Sequence, residues 1–147
     1  MRFLFAACLV TAAIASPAAM RPAIAQSSAL DPKTAVYELR IYYPAPGKLA
    51  ALNARFREHT LALFAKHGMH NVAYWNEQPT AEAPEGRVVY VLAYPSREAR
   101  EASWKAFGAD PEWRAVVATS EAGGKLVTKI DSVFMTLADY SPRLPLR

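Results

Sequence analysis

Residues Ala35 to Tyr43, AVYELRIYY, are the stretch on which the fold turns. They are rich in β-branched and aromatic side chains and alternate along the chain, the pattern of a strand with two different faces. Tyr37, Leu39 and Ile41 are expected on the face turned to covering helices. Glu38, Arg40 and Tyr42 are expected on the other. Pro44-Ala-Pro-Gly47 ends the strand, because proline cannot continue a ladder and glycine favours a turn.

Downstream, from Lys48 to His67, the period becomes helical: Leu49, Leu52, Phe56, Leu63 and Phe64 form one apolar stripe. Gly68 suits the position just past a helix end. Met69 to Glu77 reads as a second strand, residues 79–86 as a loop and Arg87 to Tyr94 (RVVYVLAY) as a third strand. Ser96 is placed to cap a helix running through Phe107. Asp110-Pro111-Glu112 is a second helix start, with Asp as cap, Pro at the first helical position and Glu in the first turn. Gly123-Gly124 stops that helix, and the segment 125–140 holds a last strand alternating around Ile130, Ser132, Phe134 and Thr136.

The order β-α-β-β-α-β predicts an α+β fold, the ferredoxin-like plait, with a four-stranded antiparallel sheet covered by helices on one face. Strands two to four carry large apolar side chains on both faces, whichever register holds. On the third strand the choice is Val88, Tyr90, Leu92 and Tyr94 against Val89, Val91 and Ala93. A contiguous apolar sheet face is rarely left in water. A second copy pressed against it would close a dimeric α+β barrel with a lumen between the sheets.

Upstream, Arg2 precedes the uncharged run Phe3 to Ala15, and Ala23-Ile24-Ala25 has the small-x-small form of a cleavage site. Thirteen residues fall short of the ~20 that span a bilayer. Residues 1–25 are therefore expected to be a cleavable signal, 26–34 a flexible lead-in, 35–140 the domain and 141–147 a tail. The mature protein is expected to be periplasmic or secreted, without stable membrane insertion. Cleavage removes the single cysteine, Cys8, and with it thiol chemistry and disulfides. It also leaves 15 basic against 13 acidic residues, a net +2. With no basic run interleaved with aromatics, nucleic acid is not an expected partner.

Glu38 and Arg40 lie two apart on a strand and share a face. A carboxylate and a guanidinium there suit the orientation of a polar ligand or a structural ion pair. Tyr42, Tyr74 or Trp75, and Tyr90 offer aromatic walls. His59 lies on or beside the apolar stripe and reads as a core histidine before a catalytic one. His59 and His67 are eight apart, ~12 Å along a helix, so His59, His67 and His70 are not expected to share a metal. No serine has the G-x-S-x-G context and no glycine-rich phosphate loop is present in the sequence. No metal or cofactor is expected.

Several of these residues together resemble the NIPSNAP domain. They are Tyr37-Glu38-Leu39-Arg40-Ile41-Tyr42, Pro46-Gly47, Phe56, His59 and Tyr74-Trp75. The second half adds Ala93-Tyr94-Pro95-Ser96, Arg100, Trp104-Lys105-Ala106-Phe107 and Asp110-Pro111-Glu112-Trp113. The resemblance runs from Val36 to Leu137. It implies a plait of the dimeric α+β barrel type and little chemistry: the best-known members are associated with mitochondria and vesicle trafficking. Barrels of the superfamily include cofactor-free monooxygenases, haem-handling enzymes and stress-response proteins, an analogy of fold alone. The expected function is a homodimer that binds a small apolar or aromatic molecule between its sheets. Glu38 and Arg40 are its polar anchors, and His59, Glu38 and Arg40 its catalytic candidates. Cofactor-free oxygenation and a purely non-enzymatic interaction protein are the alternatives.

Overall fold

The computed structural model describes residues 30–142 and 144, so the expected signal and most of the lead-in lie outside the described residues. Four strands form one antiparallel sheet: β1 (Val36–Pro44), β2 (His70–Asn76), β3 (Val88–Tyr94) and β4 (Val127–Met135). Their spatial order is β2-β3-β1-β4, the plait order. The first helical region runs through α1 (Leu49–Arg55), a π-helical turn (Phe56–Thr60) and α2 (Leu61–Lys66) without a break. The second comprises α3 (Arg97–Ala109) and α4 (Pro111–Ser120).

The local signals act as their chemistry requires. Gly68 takes φ +74°, open to glycine at little cost. The N–H groups of Gly68 and Met69 then close the helix end on Ala65 O (3.1 Å) and Phe64 O (3.0 Å). Ser96 Oγ accepts from Ala99 N at 3.1 Å, and Asp110 Oδ1 accepts from Glu112 N at 2.8 Å. The other oxygen of Asp110 meets His67 Nε2 at 2.6 Å and Lys66 Nζ at 2.8 Å, which ties α4 to the end of α2. Gly86 closes the β2–β3 loop with φ +76°, and a Cβ there would collide with the carbonyl of Glu77.

All helices pack on the face that carries Tyr42, Val88, Tyr90 and Leu92. There Leu52, Phe56, Phe64 and Phe107 complete the main core. Its centre is aromatic: Tyr90 packs edge-on to Tyr42 and Phe56, each at 5.2 Å, and lies parallel to Tyr74 at 5.3 Å.

This reverses the expected faces of β1. Glu38 pairs with Leu92 and Arg40 with Tyr90, so Glu38, Arg40 and Tyr42 point toward the helices. Tyr37, Leu39 and Ile41 point to the open face, beside Ala93, Val91 and Val89. Volume accounts for the reversal. The space between sheet and helices is filled by long side chains, namely Arg40, Tyr42, Tyr90 and Tyr94, and Val89, Val91 and Ala93 are left to the other side. A smaller second core closes one end of the open face, where Tyr37, Ala35 and Ala93 are covered by Leu30, Val72, Leu137 and Leu144. The rest of that face, including Leu39, Ile41, Val89, Val91 and Val133, is only partly covered or exposed.

Candidate functional site

Three strands and a helix meet at one buried carboxylate. β1 contributes Glu38 and Arg40, β3 contributes Tyr90 and Tyr94, β4 contributes Ser132, and α3 contributes Arg100 and Trp104. Arg100 and Trp104 are four apart, so they stand one above the other on the helix side facing the sheet.

Glu38 is fully buried and both its oxygens are saturated. Oε1 accepts from Arg40 Nη1 (2.6 Å), Arg100 Nη2 (2.7 Å) and Ser132 Oγ (2.7 Å). Oε2 accepts from Arg100 Nε (2.9 Å), Tyr94 Oη (3.2 Å) and Trp104 Nε1 (3.3 Å). Arg100 therefore grips the carboxylate with both prongs, the geometry in which guanidinium is strongest. Arg40 is held as firmly. Its Nε donates to Tyr90 Oη at 3.0 Å, and its guanidinium lies 4.2 Å from the centre of the Trp104 ring.

Burial alone would raise the Glu38 carboxyl above its ordinary value of 4.5. The hydrogen bonds from Arg100 and Ser132, with the charge of Arg40, override that and hold it down at about 2. Burial pushes the phenols of Tyr90, Tyr74 and Tyr94 up from 10.0. At neutral pH Glu38 is thus a fixed anion, the arginines are fixed cations and these tyrosines are fixed donors. The cluster can orient and neutralise a polar group. Its carboxylate is a poor proton acceptor, since an effective base needs a pKa near the working pH.

Of the residues singled out from sequence, Glu38, Arg40, Tyr42 and Tyr90 come together. Tyr42 Oη accepts from Arg40 Nη2 at 3.4 Å. Tyr74 stands one aromatic layer away, against Tyr90, and its hydroxyl bonds to Asn71 Oδ1. Trp75 does not join them: it pairs with Val89 on the open face and is 53 % exposed. Nor does His59. The π-helical turn rotates it off the apolar stripe, so its side chain is 48 % exposed instead of lying in the core. Sequence reasoning missed the roles of Arg100, Trp104, Tyr94 and Ser132. The four-residue spacing of Arg100 and Trp104 was the only local hint of a shared face.

The cluster lies next to the surface along β4. On the helix-facing side of that strand, Phe134 and Ile130 flank Ser132 in the alternation and are 38 % and 45 % exposed. Arg97 lies over the Phe134 ring at 3.2 Å and Arg100 at 5.4 Å.

The NIPSNAP family profile matches residues 37–142, which include every strand but the first residue of β1 and every helix. The chain belongs to the NIPSNAP family. Solved NIPSNAP structures share its fold. An uncharacterised NIPSNAP-like domain protein from Burkholderia xenovorans is 21 % identical and superposes with a TM-score of 0.65, covering 78 % of this chain and 94 % of its own. A NIPSNAP family protein of unknown function from Agrobacterium tumefaciens is 20 % identical, with a TM-score of 0.63 over 77 % of this chain and 96 % of its own. A second uncharacterised NIPSNAP domain protein from B. xenovorans is 22 % identical, with a TM-score of 0.60 over 74 % and 99 %. No curated protein matches the sequence. At these identities the likeness establishes the NIPSNAP fold and assigns no chemistry.

Proposed function

We propose that this NIPSNAP protein is an exported homodimer. Its subunits join through their open sheet faces, and each binds a small, largely apolar or aromatic molecule beside the Glu38–Arg40–Arg100 cluster. The observation that carries the proposal is the inversion of β1, with charges inside and aliphatic side chains outside. The open face has Leu39, Ile41, Val89, Val91 and Val133 on adjacent strands. Its charged groups, Arg87, Glu77, Lys129 and Asp131, gather toward one end. An apolar centre with a charged margin is the anatomy of an interface. No polar anchor sits among those aliphatics, so the face serves assembly and the ligand site moves to the other side of the sheet. There Phe134 and Ile130 supply apolar surface, and Ser132 and Arg100 link it to the buried charges. The fixed protonation of Glu38 and Tyr90 favours binding over proton-transfer catalysis. Export rests on Arg2, the uncharged run Phe3 to Ala15 and the Ala23-Ile24-Ala25 site.

Native mass spectrometry of protein purified from its own source tests the reading. A dimer that retains a small molecule, and that loses it in Phe134→Ala, is the expected result. A monomer at micromolar concentration overturns the assembly. A dimer free of any retained molecule, in wild type as in the variant, overturns the ligand site.

A further inference from the structure

We propose that the second copy seats on the open face with the two-fold axis running along the strands, so that Glu77 of each subunit meets the partner's Lys129. This alignment rests on the homodimer proposed above and adds how the two faces recognise each other.

The open face is laid out in rows across the sheet. In the order β2-β3-β1-β4, the first row reads Glu77, Arg87, Tyr43, Lys129. The second reads Trp75, Val89, Ile41, Asp131, and the third Ala73, Val91, Leu39, Val133. Beyond the third row the face is closed by Leu30, Leu137 and Leu144, packed on the core of Tyr37 and Ala93. Charge is thus held at one end of the strands and an apolar cover at the other.

The charges of the first row are ordered. Arg87 Nε lies 3.2 Å from Glu77 Oε2, an ion contact without the alignment of a hydrogen bond. Lys129 Nζ lies 2.8 Å from Asp131 Oδ2. Both cations sit 4.6 Å from the centre of the Tyr43 ring, between them. A carboxylate therefore stands at the β2 corner of the row and an ammonium at the β4 corner.

Two-fold symmetry lets aligned sheets stack in two ways. An axis along the strands lays β2 on the partner's β4 and sets like ends together. Glu77 then faces the partner's Lys129, Arg87 faces the partner's Tyr43, and leucine cover meets leucine cover. Sheets stack about 10 Å apart, within the combined reach of a glutamate and a lysine. Along Arg87, Glu77, the partner's Lys129 and the partner's Asp131 the signs alternate, and this chain of charges occurs twice in the dimer. Trp75, two residues from Glu77 on the same face and 53 % exposed, would shield each chain from water. An axis across the strands turns one sheet end for end. It lays the charged row of each subunit on the leucine cover of the other, where the charges lose water and gain no partner. Charge complementarity selects the first arrangement.

Exchange of the charges tests the alignment. Sedimentation of the folded chain at micromolar concentration measures the dimer, and native mass spectrometry with one variant ¹⁵N-labelled resolves mixtures. Glu77→Lys and Lys129→Glu are each expected to weaken the homodimer about tenfold or more, because each sets like charges across the interface twice. An equimolar mixture of the two variants is expected to form a heterodimer of near wild-type affinity, since both crossings regain opposite charges. Lys129→Glu introduced beside Glu77→Gln should weaken the dimer by less than about threefold, and this pair decides the question even if Glu77→Lys fails to fold. Single variants that dimerise as well as wild type, or a mixture that associates no better than either variant alone, overturn the alignment and leave the dimer standing. A wild-type chain that stays monomeric overturns the dimer and the alignment with it.

Discussion

The two faces of β1 follow opposite rules. Toward the helices lie Glu38 and Arg40, 0 % and 8 % exposed, while their neighbours Leu39 and Ile41 stand only partly covered on the open side. A strand with its charges inside and its aliphatics outside is unfavourable unless both departures are compensated. The inner one is compensated within the chain: one carboxylate meets six donors, among them both prongs of Arg100. The outer one finds no such answer among the described residues beyond the end closed over Tyr37. The inner face is thus complete in one copy, and the outer face is where the proposed second copy would pack.

The difference is broken most directly at its centre. Glu38→Gln keeps the shape and removes the charge, which leaves Arg40 and Arg100 buried beside a neutral amide. The loss expected is about 3–5 kcal/mol, the range for uncoupling one partner of a buried ion pair. Urea unfolding of the folded chain measures it, and a loss below ~1 kcal/mol would show that the cluster contributes little to stability.

Acid makes the same cut without mutation. The Glu38 carboxyl is held at about 2 when folded, against an ordinary 4.5. Between those values the unfolded chain binds the proton and the folded chain does not, so stability falls as pH falls. The contribution is fully present above about pH 5 and lost toward pH 2, and the shift corresponds to roughly 3 kcal/mol. The Asp110 carboxyl is also held low, by Lys66 and His67, and adds to the acid sensitivity of the wild type. The part owed to Glu38 is therefore the difference between wild type and Glu38→Gln. Their urea midpoints should converge as pH falls through 4 toward 2, and parallel curves would contradict the assignment.

What could be read from sequence was what neighbouring residues decide. The caps at Ser96 and Asp110 and the helix end at Gly68 rest on bonds that span two to five residues. The alternation of Ile130, Ser132, Phe134 and of Val88, Tyr90, Leu92 gave strands and hence the plait. Alternation says that two faces differ and is silent about which one is covered. That choice was made by distant partners: Arg100 reaches Glu38 across 62 residues and Ser132 across 94. Taken by itself the strand suits an aliphatic row on the helix side, and only the donors on α3 and β4 make a carboxylate the better occupant. His59 shows a different limit. A regular 3.6-residue period puts it on or beside the apolar stripe, and the π-helical turn at Phe56–Thr60 changes that phase with no residue that announces it.

The smallest expected effect lies on the open face and sharpens the contrast. Val133 is half exposed in the single chain, paired with Leu39 on β1. Val133→Thr keeps the branched shape and β preference and adds a hydroxyl. On a solvated face it should alter unfolding by less than ~0.5 kcal/mol, the usual range for surface substitutions. At an interface the same hydroxyl loses water in both subunits, and each unpaired one costs about 1–3 kcal/mol. The two cases separate in the dependence of the unfolding midpoint on protein concentration. A dimer's midpoint rises with concentration, and Val133→Thr should lower it most where the dimer is fully formed. A midpoint that ignores concentration in both proteins would place the face in water. The inversion of β1 would then be a matter of the inner cluster alone.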